Sequence, residues 1–418
     1  MSKRLALGID IGTSGVRCAA LRPDRSLEAL TSAEMSEAGS DPRSPATWRD
    51  TLDLALERMW RDVPSDRIGA CAVDATSGTV LALDSAERPV GAVFMYNDPV
   101  DDPAILHAIS SVAPRETAGR GANSGLARAL ALQGRPGVTR ILHQADWIAE
   151  CLTGTPMPSD ESNALKTGYD PVDRQWPAWL VQTGLSLDLL PEVVPVGAST
   201  GRACGRFGLP SGVPMVAGVT DGCASFLATG AARPGEGVTA LGTTLTIKLL
   251  SDRPVFAPEY GIYSHRIGDV WLAGGASNTG GGALAQYFTL DEIGMLSIRI
   301  DPFEDSGLDY YPLPKPGERF PVSDPDLAPR VESRPTDDAA FLHGLLEGVA
   351  RIEAQGYWRL AELGAPALAS IRTVGGGAGN AVWQAMRHRI LGLPGADVAS
   401  DAAAAGVARL ALPHLADA

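Results

Sequence analysis

The chain opens on Leu5-Ala6-Leu7-Gly8-Ile9-Asp10-Ile11-Gly12-Thr13-Ser14-Gly15, the stretch that decides its fold. An apolar run, a tight polar turn and a second apolar run to Leu21 predict a β-hairpin. Asp10 is unusual there, because a buried carboxylate is costly unless it is paired, hydrogen-bonded or bound to a metal. The turn offers backbone N–H groups and hydroxyls that can bind phosphate oxygens. The stretch therefore predicts either a Mg²⁺-nucleotide site or an ordinary hairpin in which Asp10 caps its own turn.

The composition is that of a globular protein with an acidic surface. The 418 residues include 45% hydrophobic residues, which predicts two or three domains with sizeable cores. The formal charge of −14 argues against a general nucleic-acid or anionic-membrane surface, and no apolar run reaches membrane-spanning length. Five scattered cysteines without a Cys-x-x-Cys pair indicate reduced thiols. We expect a cytoplasmic protein without a zinc site.

Strands and helices alternate after the hairpin. We expect a strand from Leu27 to Ala33, a helix from Ser44 to Asp62 and a buried strand from Ile68 to Val73. The polar loop from Thr76 to Thr79 follows, at the strand end where α/β proteins place ligands. A further strand from Val90 to Tyr96 would deliver Asn97 and Asp98 either to that region or to a simple turn.

The middle of the chain is less informative. Residues 103–155 are predicted to be mainly helical, with Gly154 as a helix cap. The polar run 159–167 is either a helix start or a substrate loop.

Asp221 stands at a junction between a predicted strand, Val213 to Val219, and a predicted helix, Ala224 to Ala232. An aspartate there is either the helix N-cap or a general base held rigidly at a site. The stretch 237–248 then repeats the opening scheme of strand, Gly-Thr turn and strand. This weak internal repeat suggests two similar domains that face each other.

The last part of the chain contains a glycine-rich turn between a predicted strand and a predicted helix. We expect a strand from Val270 to Gly275, a long loop over 302–338 and a helix from Phe341 to Leu363. A strand ending at Val374 runs into 375–380, where glycines allow a ligand to touch the backbone. The expected closing helices are Ala381 to Leu391 and Asp401 to Leu412.

Five motifs in chain order resemble those of the FGGY carbohydrate kinases, sugar kinases of the actin-like ATPase superfamily. They are Gly8–Ser14 and Leu241–Thr244 (the two phosphate motifs), Gly218–Gly222 (the catalytic-base motif), Gly274–Asn278, and Gly375–Asn380 (the adenosine motif). The resemblance implies an α/β fold of two ribonuclease-H-like domains with a cleft between them. It implies a sugar-binding domain over residues 1–226 plus 400–418, and a nucleotide-binding domain over 227–399.

The resemblance also implies an ATP-dependent carbohydrate kinase with Mg²⁺ as its cofactor. Asp221 would accept the proton of the attacking sugar hydroxyl, and Asp10 would orient Mg²⁺ through water. The implied substrate ligands are Asp10, Thr13, Ser77, Asp98 and Asp221. The implied ATP ligands are Gly12, Thr13, Ser14, Gly242, Thr243, Gly376, Gly377 and Asn380.

Within the family, four segments resemble the short D-ribulose kinase subgroup: Ser264-His265, Gly274–Asn278, Gly307–Pro314 and Gly317–Pro321. The chain departs from many relatives at Ser77-Gly78-Thr79 and at Tyr96-Asn97-Asp98, positions that line the sugar pocket in relatives. We expect D-ribulose to be converted to D-ribulose 5-phosphate, with D-xylulose as the alternative substrate. An actin-like ATPase without a sugar site and an inactive regulatory relative are the other interpretations. We expect a monomer or homodimer without nucleic-acid or membrane partners.

Overall fold

The computed structural model describes residues 4–416. Its strands are β1 Leu5–Ile11, β2 Gly15–Leu21, β3 Leu27–Glu34, β4 Ile68–Ala75, β5 Val80–Leu83, β6 Arg140–His143, β7 Ser159–Asp160, β8 Val193–Val194, β9 Ser199–Arg202, β10 Pro214–Val216, β11 Glu236–Leu241, β12 Leu245–Ser251, β13 His265–Ile267, β14 Val270–Ala276 and β15 Ser370–Val374. Its α-helices are α1 Met35–Ala38, α2 Pro45–Asp62, α3 Pro103–Val112, α4 Gly125–Gln133, α5 Gln144–Thr153, α6 Glu161–Ala164, α7 Trp179–Gln182, α8 Asp221–Ala228, α9 Gly281–Leu284, α10 Leu290–Ser297, α11 Asp338–Glu362, α12 Ala381–Leu391 and α13 Ala403–Ala411.

The chain divides into two compact units. Unit 1 comprises the residues up to Gly230, the short segment His265–Gly268 and the residues from Ser400 onward. Unit 2 comprises Ala231–Ser264 and Asp269–Ala399. The sequence-based division places its boundaries at 226 and 399 and does not separate 265–268.

Unit 1 is built on a mixed sheet with the strand order β3-β2-β1-β4-β10-β9. Strand β1 pairs antiparallel with β2, as the predicted hairpin requires, and parallel with β4. All seven residues of β1 are buried, because α2 and α13 cover the sheet. The central pair β1–β4 therefore runs through the core of the unit.

Helix α13 approaches the sheet closely because its residues are small. A Cβ on Gly8 of β1 would lie 1.9 Å from the carbonyl oxygen of Ala404, and a Cβ on Gly406 would lie 1.8 Å from the carbonyl oxygen of Ala224. Glycine at 8 and 406 lets α13 pack directly on β1 and α8. The C-terminal helix thus completes the core of unit 1.

Unit 2 repeats the order and direction of the first four strands of the unit 1 sheet. Its sheet contains the strand order β14-β12-β11-β15, in which β11 is antiparallel to β12 and parallel to β15. The antiparallel meander followed by a parallel fourth strand matches β3-β2-β1-β4. The weak repeat in the sequence is therefore a repeat of topology.

A buried ion pair ties the centre of unit 2 together. Nε and Nη2 of Arg387 each donate to the Glu353 carboxylate at 2.6 Å, and both side chains are fully buried. The hydroxyl of Thr239 on β11 also donates to Glu353, and Arg387 Nη1 donates to Thr373 on β15 at 2.8 Å. The pair joins two neighbouring strands to α11 and α12.

The segment from Val90 to Tyr96, predicted as a strand, is not one. It contacts its neighbours through isolated bridges, Val80 with Phe94 and Leu83 with Pro89. The carbonyls of Val90 and Ala92 accept from Arg135 instead of a ladder partner. Strand β5 forms its ladder with β6, which lies in the region predicted as mainly helical. The segment reaches β5 through backbone hydrogen bonds of Val90 and Phe94 with Ala82 and Val80.

Other predicted elements are present with shifted bounds. The strand predicted from Val213 to Val219 is reduced to β10, and the helix predicted from Ala224 begins earlier, at Asp221. Gly154 caps α5 in the left-handed conformation, as predicted. Residues 302–338 contain no helix or strand before α11, as the prediction of a long loop requires. Within residues 4–416, none of the helices combines the length and apolarity that crossing a bilayer demands.

Asp160 shows the cost of a buried carboxylate in unit 1. It caps α6, accepting from the backbone N–H groups of Ser162 at 2.9 Å and Asn163 at 2.8 Å and from Asn163 Nδ2 at 2.7 Å. Burial, with the negative charge of Asp146, raises the pKa of Asp160 to about 7. The folded protein therefore retains a proton that the unfolded chain releases near pH 4.

Replacing Gly8 should test the packing of α13. The Cβ of Gly8→Ala would overlap the Ala404 carbonyl, so we expect the free energy of unfolding to fall by about 3 kcal/mol. Urea unfolding would measure the change. Gly134→Ala is the matched control, since its Cβ has no atom nearer than 3.8 Å and its φ is −68°. Equal midpoints for the two variants would contradict the packing argument.

Asp160→Asn should remove a pH dependence of stability. Because the folded pKa of Asp160 is raised, its contribution to stability falls as the pH rises from about 4 through 7. The asparagine keeps the capping oxygen, and the unpartnered Asn163 Oδ1 can accept its new N–H after an amide flip. We expect the variant to gain about 3 kcal/mol over wild type between pH 5 and pH 8.

Urea unfolding at several pH values would measure this gain. Exposed Asp173→Asn is the control and should leave the slope unchanged. Parallel stability–pH curves for wild type and Asp160→Asn would show that Asp160 does not titrate as described.

Candidate active site

The register of the unit 1 sheet places three ionisable side chains in a row. Asp10 on β1 lies opposite Arg17 on β2 and opposite Asp74 on β4. Directly opposed residues share one face of a sheet, so their side chains meet. Nη1 of Arg17 lies 3.4 Å from Oδ2 of Asp10, and the carboxyl groups of Asp10 and Asp74 share a hydrogen bond.

Asp74 is a fully buried carboxyl group with little to support a charge. Among the described residues, no N–H or hydroxyl group reaches either of its oxygens, which leaves the Asp10 carboxyl as its partner. Burial, with the negative charges of Asp10 and Asp221, raises the pKa of Asp74 well above its usual value. Burial also raises the pKa of Asp10, against the hydrogen bond from Asp74 and the charge of Arg17. Asp74 is thus the member of the pair that holds the proton.

The turn after β1 presents its hydroxyls to solvent. The N–H of Gly12 donates to the carbonyl of Gly15 at 2.9 Å and closes the turn, while Thr13 and Ser14 are exposed. Both residues line a groove of about 680 Å³ in unit 1 whose other walls come from β3, α1 and the segment that follows α1. Gly12 therefore shapes the turn, and the two hydroxyls are available to a ligand.

Asp221 is the first residue of α8, and Thr220 occupies the N-cap position. Of the two alternatives that the sequence left open for Asp221, the N-cap is therefore wrong. A parallel bridge joins Thr220 to Ala75, the last residue of β4, so the start of α8 lies beside the end of that strand. The half-buried Asp221 is close enough to Asp10 and Asp74 for its charge to raise the pKa of both.

The loop after β4 contains one hydroxyl without a partner. Thr76 Oγ1 donates to Gln144 Oε1 at 2.7 Å and lies 2.6 Å from Thr79 Oγ1. Ser77 Oγ is buried and has no hydrogen-bond partner among the described residues. A buried hydroxyl of this kind is costly without a ligand to bind. This observation favours Ser77 as a ligand for a polar substrate.

Asp98 is already engaged. Its two oxygens accept from Arg43 Nη1 at 2.7 Å and Nη2 at 2.8 Å, and Oδ2 also accepts from the N–H of Met95 at 2.8 Å. Burial pushes the pKa of Asp98 upward, but the Arg43 and Met95 hydrogen bonds outweigh it and hold the pKa below its usual value. The carboxylate fixes its own turn, and its contact with a sugar stays a prediction.

In unit 2, the turn between β11 and β12 rests on a glycine-rich segment. The N–H groups of Gly281 and Gly282 donate to the carbonyls of Gly242 and Thr243 at 2.8 and 2.9 Å. Gly280 has φ +132°, and a Cβ there would lie 2.8 Å from the nitrogen of Leu245. Thr243 is exposed. The packing of this glycine-rich segment against the turn fixes the shape of the turn, while Thr243 stays exposed to solvent.

Glu318 fixes the base of that glycine-rich segment. It is buried and accepts from Ser277 Oγ at 2.5 Å and from the N–H of Asn278 at 2.8 Å. Tyr311 adds a third hydrogen bond at 3.1 Å. The segment 317–321, which the resemblance singled out, therefore supports the Gly242–Thr243 turn within unit 2.

The glycine-rich stretch after β15 forms a 3-10 turn, Gly376–Gly379, before α12. A Cβ on Gly376 would meet nothing within 4 Å, whereas a Cβ on Gly377 would lie 2.7 Å from Trp383. Asn380 is the N-cap of α12: its Oδ1 accepts from the N–H of Trp383 at 3.0 Å, and its Nδ2 donates to Ser297 at 2.8 Å. Exposed backbone at a helix N-terminus suits a phosphate-bearing or planar ligand.

Sequence reasoning did not single out Asp74 or Arg17 as site residues. The signal for both is the pairing register, since Asp10 is opposite each of them and no pattern along the chain reveals that. Within residues 4–416, no group of three or more His, Cys, Asp or Glu side chains could hold a metal ion by itself. Any cation at Asp10 would need water or a ligand to complete its coordination.

Comparison with known proteins identifies the fold. Residues 237–413 match the C-terminal domain of the FGGY family of carbohydrate kinases. The chain is 24% identical to xylulose kinase from Escherichia coli (strain K12) over 440 residues, which cover 97% of this chain and 90% of that protein. It is 26% identical to gluconokinase from Bacillus subtilis (strain 168) over 230 residues, which cover 50% of this chain and only 45% of that protein.

Comparison with solved structures also relates the fold of this chain to that of xylulose kinases. The crystal structure of xylulose kinase from Rhodospirillum rubrum superposes with a TM-score of 0.82 at 21% identity, covering 97% of this chain and 89% of that one. This likeness confirms the predicted α/β fold with two actin-like ATPase-type domains. Residues 237–413 are therefore a C-terminal domain of the FGGY family of carbohydrate kinases, in a chain that aligns with a xylulose kinase along nearly its whole length and shares the fold of that class of structures.

Proposed function

We propose that this protein transfers the γ-phosphoryl group of ATP to the terminal hydroxyl of a ketopentose, with D-ribulose as the preferred substrate and D-ribulose 5-phosphate as the product. The observation that carries the proposal is the grouping of Asp221, Asp10 and Asp74, whose charges act on one another at the ends of neighbouring elements of unit 1. The pKa values of Asp10 and Asp74 are both raised, and clustered carboxyl groups with perturbed pKa values are typical of catalytic sites.

Asp221 is the general base in this proposal. Its carboxylate accepts the proton of the sugar hydroxyl as the hydroxyl oxygen bonds to the γ-phosphorus, and the bond to the bridging oxygen breaks to release ADP. A rigid position at the start of α8 supports this role, because phosphoryl transfer depends mainly on alignment. Asp74, by holding its proton, keeps one negative charge away from the approaching phosphate.

Asp10 is the residue that would hold Mg²⁺, through water. Its carboxylate oxygens are hard donors, and Mg²⁺ in kinases takes one or two carboxylates and completes its shell with water and phosphate. The lack of a three-residue cluster among the described His, Cys, Asp and Glu side chains is compatible with this mode of binding. When bound, the ion neutralises charge on the phosphates.

Hydroxyl and backbone groups of the two Gly-Thr turns bind phosphate oxygens in this proposal. In unit 1, these are the groups of Thr13 and Ser14, with Thr13 also near the sugar. Gly12, whose N–H closes the turn, acts by shaping it, and the partly exposed Arg17 adds a positive charge. In unit 2, Gly242 and Thr243 bind phosphate oxygens, and Gly376 and Gly377 bind the adenosine. The Asn380 side chain is already used as a helix cap, so we propose that it acts by holding the glycine turn in place.

The choice between the two candidate sugars depends on a small number of hydrogen bonds. D-ribulose and D-xylulose differ only in configuration at C3, so one or two hydrogen bonds decide between them, each worth about 1–3 kcal/mol when a buried partner is left unpaired. The unpartnered Ser77 hydroxyl and the subgroup resemblance favour D-ribulose. The long alignment with a xylulose kinase favours D-xylulose as the second candidate.

Asp221→Asn should abolish the base while keeping the shape of the side chain. We expect kcat to fall on the order of a hundredfold or more with little change in the KM values. A coupled assay of ADP release with saturating ketopentose and Mg-ATP would measure this. Asp188→Asn, at an exposed position in unit 1, is the control. Near-normal turnover in Asp221→Asn would leave Asp221 with only a structural role.

Ser77→Ala should reveal the sugar specificity. Removing the hydroxyl takes away one hydrogen bond to the substrate, so kcat/KM for D-ribulose should fall about tenfold while KM for ATP is unchanged. The wild-type enzyme should prefer D-ribulose to D-xylulose under the same Mg-ATP concentration. Ser85→Ala, in an exposed turn, is the control.

These assays can refute D-ribulose as the substrate without refuting the sugar-kinase activity. If D-xylulose is used equally well or better, or if Ser77→Ala affects neither sugar, D-ribulose is not the specific substrate. If no ketose, aldose or polyol stimulates ADP release, the sugar-kinase proposal itself fails and an ATPase or regulatory role takes its place.

A further inference from the structure

Arg128 is a buried cation that binds backbone carbonyls. It lies on α4 with 1% of its surface exposed. Nε donates to the carbonyl of Asp98 at 2.9 Å, Nη1 to that of Gly78 at 2.7 Å and Nη2 to that of Tyr96 at 2.6 Å. Each nitrogen of the guanidinium group therefore holds a different residue of two separate loops.

Such burial is costly unless the hydrogen bonds compensate for it. A charged group removed from water must be paired or fully hydrogen-bonded. Burial lowers the pKa of Arg128, and the nearby charge of Asp98 opposes that change. The planar guanidinium group of arginine carries several N–H donors in a rigid arrangement, so it can donate to three fixed acceptors at once. This arrangement is specific to arginine and to the positions of these carbonyls.

The two loops are also joined to each other. The N–H of Tyr96 donates to Thr79 Oγ1 at 3.1 Å. Gly78 has φ +82°, and a Cβ there would lie only 3.2 Å from Arg128 Nη1. Glycine therefore lets the Gly78 carbonyl approach the guanidinium group. The loop segments 76–79 and 96–98, which we name the clamped loops, form one body fixed by Arg128.

We propose that Arg128 is a positioning residue for sugar recognition: it sets the distance between the loop that carries Ser77 and the loop that carries Asp98. This inference rests on the proposed function, since it takes the clamped loops to be sugar-binding loops. Arg128 does not touch the substrate. It acts by holding Ser77, whose hydroxyl must be in a fixed place to choose between sugars that differ at one carbon.

The loss of the clamp should affect the sugar selectively. Without the guanidinium group, three carbonyls lose their donor and the clamped loops can move apart. Sugar binding then includes the entropy cost of ordering them, whereas nucleotide binding does not involve them. Lysine can replace the charge, but its single ammonium group cannot span three carbonyls. Arg128→Lys should therefore be intermediate between wild type and Arg128→Met.

The test compares Arg128→Met and Arg128→Lys with Arg135→Met. Arg135 is the matched control, because it also donates to two backbone carbonyls, those of Val90 and Ala92, but contacts neither clamped loop. We expect Arg128→Met to raise KM for the ketopentose at least tenfold and to erode the D-ribulose preference over D-xylulose. KM for ATP should change less than threefold, and Arg135→Met should leave both KM values near wild type.

Amide hydrogen exchange gives a second readout that needs no substrate. In Arg128→Met, exchange should accelerate at 76–79 and 96–98 and stay unchanged in β1 and β4. If Arg128→Met does not fold, Arg128→Lys carries the same comparison with a smaller effect. Equal increases in the KM values for sugar and ATP, uniform acceleration of exchange across unit 1, or the same effects in Arg135→Met would each overturn the proposal.

The two proposals fail in different ways. If the wild-type enzyme phosphorylates no sugar, the proposed function fails while the exchange experiment still measures the clamp. If the enzyme is an active ketopentose kinase and Arg128→Met keeps its wild-type KM and sugar preference, the positioning role of Arg128 fails while the proposed function stands.

Discussion

The parallel pairing of β1 with β4 is the interaction on which the rest of unit 1 depends. Its register places Asp10 against Asp74 and aligns the ends of both strands, from which the Gly12–Gly15 turn and the Thr76–Thr79 loop begin. A slip of one residue would turn every side chain to the opposite face. The buried β1 core and the close packing of α13 on Gly8 hold that register. Packing far from the carboxylates therefore fixes their geometry.

Buried polar groups that lack hydrogen-bond partners, and therefore destabilise the fold, are concentrated at the end of β4. No N–H or hydroxyl group among the described residues donates to Asp74, and Ser77 Oγ and Gln144 Nε2 have no hydrogen-bond partner among them. Each such group costs free energy in the folded protein. The arrangement is typical of a site shaped for a ligand that supplies the missing hydrogen bonds. Nearby, Arg128 uses every nitrogen for carbonyls, so the same region combines unsatisfied groups with a rigid frame.

Unit 2 repeats the strand order but not the chemistry. Its turn at Gly242–Thr243 is supported by backbone hydrogen bonds from Gly281 and Gly282 and has no counterpart of the Asp10–Asp74 pair on the facing strands. The buried Glu353–Arg387 pair joins β11 and β15, the two strands that lead into the unit's glycine turns. One topology thus supports a carboxylate site in unit 1 and neutral, backbone-lined turns in unit 2.

The sequence by itself determined the hairpin, the turn residues, the repeat and the position of Asp221 at a strand-to-helix junction, because these depend on neighbours along the chain and on local turn chemistry. The tertiary structure decided what depends on distant residues. Asp74 and Arg17 join Asp10 only through strand register, and Asp98 is occupied by Arg43 from 55 residues away. The carbonyls of Val90 and Ala92 accept from Arg135, and their segment is not a strand. Thr220 rather than Asp221 caps α8. Register, burial and competition for hydrogen bonds are properties of the packed chain, and no local pattern contains them.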